Sequence, residues 1–363
     1  PQGEAVRYQM LETVRQYAYE QLEKMKDAPA ARDRHLAYFR QLVEHGEPEL
    51  RAGGQLIWLR RLVTESDNLR VALSWGLQHE PVAADRLLSG AGLATELIFH
   101  WKLHSDWLEG RSWLEETAHL LEIHQKIIDA RQVRQITALR AKALYGAGVL
   151  VWHQGKWDES WQLLLTSTHL ARSVGDFSCL FRAQAFQADL YLLRGDWSTA
   201  CALWQECRGY FNQVQEPWLL AEATFFLGYA ERRAGNFAAA IPYYEEAIAL
   251  LRALGERWLL SLTLSHLGLI AFAQGDYGTA YRQIEQRLLM GREFGLKQHI
   301  YTALDFLADI AYQQGHIRQA AMLLREALAL QQKSGVDLLF ANLIVNLGIM
   351  AQACIMDGHY PRA

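Results

Sequence analysis

The stretch Gly228-Tyr229-Ala230-Glu231-Arg232-Arg233-Ala234-Gly235-Asn236-Phe237-Ala238-Ala239-Ala240 decides the fold. A small residue is followed seven positions later by a glycine, then two later by a ring, then three later by an alanine. Forty residues upstream the same register holds Ala188, Gly195, Trp197 and Ala200; forty downstream it holds Gly268, Gly275, Tyr277 and Ala280. The outer copies are Gly148, Gly155, Trp157, Ser160 and Ala308, Gly315, Ile317, Ala320. A second glycine series (Gly175, Gly255, Gly295, Gly335) lies midway between the turn glycines, and only Gln215, two residues before Pro217, interrupts it. A breaker therefore falls about every twenty residues, and each interval reads as one helix, clearest at Ile241, Tyr244, Ala247, Leu250 and Leu251.

The turns have a physical reading. Glycine just past a helix end takes the left-handed conformation without a Cβ clash. The residue after it is often a good N-cap, as at Asp196, Asn236 and Asp276. The recurrent small residue lets two helix axes approach, with the bulky residue beside it filling space. Glycine inside a helix costs about 1 kcal/mol, so its recurrence implies close packing worth more. Pro242 falls past the first turn of a predicted helix and is expected to kink it.

These positions resemble the tetratricopeptide pattern, with a unit of 40 residues in place of the usual shorter one. The resemblance covers residues 83–363 and implies an all-α, right-handed superhelical solenoid of helix hairpins. Gly348 is in phase, but Gly358-His359-Tyr360 comes three residues late, so a terminal irregularity is expected. Upstream, Ser105-Asp106-Trp107 looks like the same turn with its glycine replaced, and about ten extra residues fall near 123–134. Residues 32–43 and 56–77 read as a connecting helix pair within 31–82.

Composition agrees with a folded all-α chain. Of 363 residues 51% are hydrophobic and 21% charged, and only seven are proline. A net charge of −4 does not suggest a general nucleic-acid binder. Cys179, Cys201, Cys207 and Cys354 form no C-x-x-C pair and read as reduced, mostly buried thiols of a cytoplasmic protein. The longest apolar stretch, 343–356, is too short to span a bilayer. The chain opens on Pro1, which suggests part of a longer protein.

A second resemblance lies upstream. Arg7-Tyr8-Gln9-Met10-Leu11-Glu12-Thr13-Val14-Arg15-Gln16-Tyr17-Ala18 resembles the end of the winged-helix domain in bacterial STAND ATPases, the NB-ARC-type signal-transduction regulators. Asp33-Arg34-His35-Leu36-Ala37-Tyr38-Phe39 and Glu65-Ser66-Asp67-Asn68-Leu69-Arg70-Val71-Ala72-Leu73 are similar to the segments next in chain order in that family. Trp107-Leu108-Glu109-Gly110-Arg111-Ser112-Trp113-Leu114-Glu115 is similar to the family's first helical repeat. The resemblance implies that residues 1–30 are a winged-helix remnant and that the repeats are a sensor. The sensor binds a protein, peptide or small-molecule effector and relays it to an ATPase core, often in transcription regulation. ATP and magnesium are expected only in that missing core, because this chain has no G-x-x-x-x-G-K-[ST] loop. The alternative is a stand-alone protein-interaction scaffold.

Catalysis is not expected. No nucleophile, base and orienting acid can be assembled from spacing. His100 and His104 share a helix face, but neither H-E-x-x-H nor a third ligand accompanies them. Gly90-Ala91-Gly92 and Gly146-Ala147-Gly148 lack the strand context of a dinucleotide loop and read as helix-packing sites. In tetratricopeptide solenoids the first helix of each pair lines a concave face. Counting from each small residue, that resemblance places Lys142, Tyr145, Trp152, Arg182, Asp189, Glu222, Phe225, Tyr229, Arg232, Phe272, Asp305, Asp309 and Tyr312 on it. Lys142, Arg182 and Arg232 suit a carboxylate or phosphate; Asp189, Asp305 and Asp309 suit a cation or hydroxyl. Direct nucleic-acid or membrane contact is not expected.

Overall fold

A computed structural model describes residues 11–79, 83–124 and 130–332. Among them are seventeen helices and no strand. Five hairpins form the repeat body. They are α8 (Ala130–His153) with α9 (Trp157–Val174), α10 (Phe177–Leu193) with α11 (Trp197–Gln213), and α12 (Pro217–Arg233) with α13 (Phe237–Leu254). The last two are α14 (Trp258–Ala273) with α15 (Tyr277–Phe294), and α16 (Lys297–Gln313) with α17 (Ile317–Gln332). Each hairpin also packs on the next, so the fold is a tetratricopeptide-like solenoid.

The turn chemistry is local. Gly155, Gly175, Gly195, Gly235, Gly255, Gly275, Gly295 and Gly315 all have positive φ, between 68° and 83°. Gln215, at 57°, takes the same conformation in the one interrupted position, and Ser105, at 66°, takes it in the upstream turn whose glycine is replaced. At Gly195 the backbone closes with Gly195 N–H donating to Leu192 O and Asp196 N–H to Tyr191 O, both at 3.0 Å. Asp196 and Asp276 cap their helices by accepting from Thr199 N–H and Thr279 N–H. Asn236 does not: its amide donates to Glu231 instead.

The small positions are contact points. A Cβ on Gly148 would sit 2.9 Å from Leu164, and one on Gly228 would sit 2.9 Å from Tyr244, each on the partner helix of the hairpin. The matching Ser160, Ala200, Ala240, Ala280 and Ala320 are fully buried. Ser160 also donates its hydroxyl to the Gly148 carbonyl at 2.8 Å. Trp157 departs from the space-filling expectation, because it stands at a helix start and is 45% exposed. The extra residues upstream lengthen a helix: α8 has 24 residues, whereas α10 and α12 each have 17. α13 runs unbroken through Pro242. The terminal irregularity expected around Gly358, with Gly335, Gly348 and Cys354, lies outside the described residues.

Before the repeats come α1 (Glu12–Glu23), α2 (Ala28–Glu49), α3 (Gln55–Thr64) and α4 (Ser66–Leu77). They are followed by α5 (Ala84–Glu96), α6 (Ile98–His104) and α7 (Trp107–His124). The stretch 56–77, read from sequence as one helix, is two, meeting at Glu65. Gly90 packs on Gly76 so closely that a Cβ would lie 2.9 Å from backbone, and Gly146 packs on Ile98 and Leu114. Both glycine clusters are thus helix-packing sites. No described helix is long and apolar enough to cross a membrane.

Candidate ligand chamber under the N-terminal helices

The concave side of the solenoid is not empty. The end of α2, the start of α3 and the short α6 lie across it. Lys102 on α6 places its ammonium 3.0 Å from Glu222 on α12, with both side chains about nine-tenths buried. The Phe99 ring packs edge-on against Trp218 at 5.0 Å and Trp258 at 6.3 Å, at the starts of α12 and α14. Lys102 Nζ is ringed by Phe99, Phe186, Trp218 and Trp258, with centroids 5.0–5.8 Å away. Farther along, Gln55 donates to Glu256 at 2.6 Å and accepts from Trp258 N–H at 3.1 Å. The Glu256 carboxylate also receives Leu259 N–H at 2.9 Å, and burial raises its pKa to about 7.

Between this cover and the repeat helices is a chamber of about 530 Å³, walled by α2 and α5 on one side and α8 and α10 on the other. Lys142, Tyr145 and Arg182 line it, joined by Arg40, Glu44 and Glu96. A smaller inner space of about 40 Å³ continues from it, shared through Glu47, Tyr145 and Arg182 and floored by Arg51, Trp218 and Glu222. Arg40 pairs with Glu44 at 2.9 Å, and Arg51 pairs with Glu47. Burial, with the nearby Arg182 charge, lowers the Arg51 pKa. Burial raises Glu96 to about 7, and Glu44 adds to the rise.

The structure thus brings four of the sequence-predicted residues, Lys142, Tyr145, Arg182 and Glu222, to one place. Others lie deeper in the same face. Phe225 is 3% exposed and packs against Tyr229, Tyr244 and His266. Arg232 lies over Tyr229 with its Cζ 5.6 Å from the ring. Trp152 packs edge-on against Phe186. Asp189 is 3% exposed, and burial lifts its pKa to about 7. Phe225 and Asp189 are interior, because the α10 and α12 helices are covered on both sides, whereas Trp152, Tyr229 and Arg232 are half-buried. Phe272 packs against Tyr277, Asp305 is buried, and burial raises Asp309 to about 6. Tyr312 packs on the alanine cluster of α16 and α17. None of these four lines the chamber.

Sequence reasoning missed the cover, notably Arg40, Glu47, Arg51, Glu96, Phe99 and Lys102, because those helices precede the periodic region. One signal was present: Trp218 and Trp258 stand forty residues apart at the same register, both facing Phe99. His100 is buried against the stacked ring of His104, and burial lowers its pKa to about 4. Among the described residues no three His, Cys, Asp or Glu side chains converge as metal ligands do.

No protein-family model matches the chain. Over 183 residues it is 29% identical to proteins named as HTH-type transcriptional regulators in Mycobacterium tuberculosis and Mycobacterium bovis. That match spans 49% of this chain but only 19% of the length of those relatives. The fold is similar to the Rap conjugation gene regulator of plasmid pLS20 in complex with the Phr* peptide (TM-score 0.59, 11% identity, 78% of this chain and 72% of that one). It is also similar to the STAND protein with a tetratricopeptide repeat sensor from Pyrococcus horikoshii (TM-score 0.51, 13% identity, 86% of this chain and 50% of that one). A third similarity is to the apo quorum sensor NprR from B. thuringiensis (TM-score 0.51, 15% identity, 82% and 81%). At these identities the likeness is one of fold: the chain is a tetratricopeptide-like helical repeat domain.

Proposed function

We propose that this chain is the effector-sensing region of a STAND-type regulator, binding its effector in the chamber on the concave face and relaying occupancy to an ATPase core elsewhere in the protein. The observation that carries the reading is the chamber of about 530 Å³ lined by the groove cations Lys142 and Arg182 and by Arg40, Glu44 and Glu96 of the covering helices. Volumes of roughly 300–1,000 Å³ are typical of small-ligand sites. A ligand there touches both the repeats and their cover, so binding changes how the two hold together; that differential contact is what a switch requires. The Rap regulator of similar fold is seen with a peptide, which supports a peptide-like effector. In this reading the chain does no chemistry of its own, and its partners are the effector and the ATPase core.

The alternative, a scaffold without a switch role, draws on Trp157 and Phe177, which are 45% and 52% exposed at successive helix starts. Thermal-shift screening against peptide and metabolite libraries tests the sensor reading, since a ligand selective for the folded state raises its melting temperature. A hit whose shift is lost in Lys142→Glu but kept in Lys156→Glu supports the chamber. Hits indifferent to Lys142→Glu defeat it. A full-length protein whose ATPase turnover ignores a chamber ligand favours the scaffold.

A further inference from the structure

The charges around the chamber do not cancel everywhere. Glu222 is taken by Lys102, Glu47 by Arg51 and Glu44 by Arg40. Asp176 accepts from Cys179 N–H as a helix cap. Arg182, which lines both the inner and outer spaces, has no carboxylate within ion-pair distance among the described residues. Three buried N–H donors of the inner wall also lack partners: Arg51 Nε, Arg182 Nε and the indole Nε1 of Trp218, a side chain only 5% exposed. Unmet buried donors are costly to a fold. Arg51, Arg182 and Trp218 all line this one small space, which suits it to an acceptor. The outer wall has the opposite feature. Glu96 Oε2 is buried without a hydrogen-bond partner. Burial holds its carboxyl up near 7, with Glu44 and Glu47 adding to the rise and Arg40 and Lys142 opposing it, and a cation brought directly against the unpartnered oxygen favours its charged form.

Resting on the sensor reading above, we propose that the chamber recognises a peptide-like zwitterion. Its free carboxylate enters the inner space to meet Arg51, Arg182 and Trp218, and a cationic group lies against Glu96. An inner space of about 40 Å³ holds a carboxylate and little more, while the outer 530 Å³ takes the body of the ligand. Arginine and indole N–H groups match the two lone-pair edges of a carboxylate, and charge-assisted bonds of this kind are the strong ones. The shared chemistry fits the C-terminus of a short peptide and a free basic amino acid alike.

Two probes separate the sources: a pool of lysine-containing tripeptides with free C-termini, and free lysine and arginine. The control is the same tripeptide pool amidated at the C-terminus. Melting temperature at millimolar probe is the readout. The free-acid pool, the free amino acids, or both should raise it, and the amidated pool should not. Arg182→Met and, more conservatively, Trp218→Phe should weaken binding by on the order of tenfold to a hundredfold. Trp218→Phe keeps a ring in place and removes only the donor, so its result stands even if Arg182→Met fails to fold. Glu96→Gln should weaken the lysine-containing probes while sparing the requirement for a free carboxylate. An amidated pool that binds as well as the acid pool overturns the carboxylate site but leaves the chamber reading standing. Binding that survives both Trp218→Phe and Glu96→Gln puts the ligand elsewhere and overturns this inference. No shift from any free-acid probe also overturns it, whereas the sensor reading is judged by its own Lys142→Glu experiment.

Discussion

Two residues show how backbone conformation and burial set properties that contacts alone do not display. Gln215 holds the left-handed conformation that eight glycines hold elsewhere, and for a residue with a Cβ that costs about 1–2 kcal/mol. Gln215→Gly removes the strain and loses one exposed side-chain bond to Asn212 O. A net gain of about 0.5–1 kcal/mol in chemical denaturation is expected. Asp189 is the second. Its carboxyl, buried on α10, titrates near 7 instead of the ordinary 3.8. Between those values the folded protein keeps a proton that the unfolded chain has released, so this group's contribution to stability falls as pH rises. Asp189→Asn does not titrate. It should match the wild type near pH 4 and exceed it by roughly 1–3 kcal/mol near pH 8. The measurement is denaturant midpoint at the two pH values. A gap of equal size at both would show that Asp189 does not carry the effect.

At the scale of the helix, the repeat depends on which glycines face a partner. Gly209 and Gly228 both lie inside helices, α11 and α12. A Cβ on Gly209 would meet nothing within 4 Å, whereas on Gly228 it would press into Tyr244, which is fully buried. Gly209→Ala should therefore stabilise by up to about 1 kcal/mol through helix propensity alone. Gly228→Ala should destabilise by about 1–3 kcal/mol through overpacking, despite the same propensity gain. Thermal unfolding of the two variants side by side tests this, and a stabilised Gly228→Ala would mean that the hairpin has room for a methyl group between its helices. Hairpin pairing, turn positions and helix lengths of the periodic region were legible in sequence because each is decided within about forty residues. The Trp157 position and the missing Asn236 cap were not, because a neighbouring helix or side chain settles them.

Over the whole molecule, the N-terminal helices and the repeats share one continuous apolar core, and deeply buried polar links cross the junction beside it. Lys102–Glu222 and Gln55–Glu256 join residues 120 and 201 positions apart. Lys102→Ala removes the ammonium that pairs with buried Glu222 and should cost about 3–5 kcal/mol. Lys102→Met combined with Glu222→Gln should recover most of that loss, since a buried pair replaced as a pair is often nearly neutral. Hydrogen exchange should show the loosening in Lys102→Ala concentrated in α3, α6 and the starts of α12 and α14. Uniform loosening throughout the solenoid would contradict a localised clasp.

The recurrence of small residue, glycine and ring at a forty-residue step was enough to establish paired helices, their turns and their stacking. Backbone conformation and close approach are short-range demands that residue type states directly. The tetratricopeptide resemblance also placed Lys142, Tyr145, Arg182 and Glu222 on the inner face, where they line the chamber and its inner space. What covers that face was decided only in three dimensions. Arg51, Phe99 and Lys102 belong to no repeat, and their partners Trp218, Glu222 and Trp258 lie more than a hundred residues away. Packing between adjacent repeats turned predicted groove residues such as Phe225 and Asp189 into interior ones, and the distant cover left one chamber with unmatched donors. No periodic pattern encodes such a meeting, because its free energy comes from surface that exists only after the solenoid has formed.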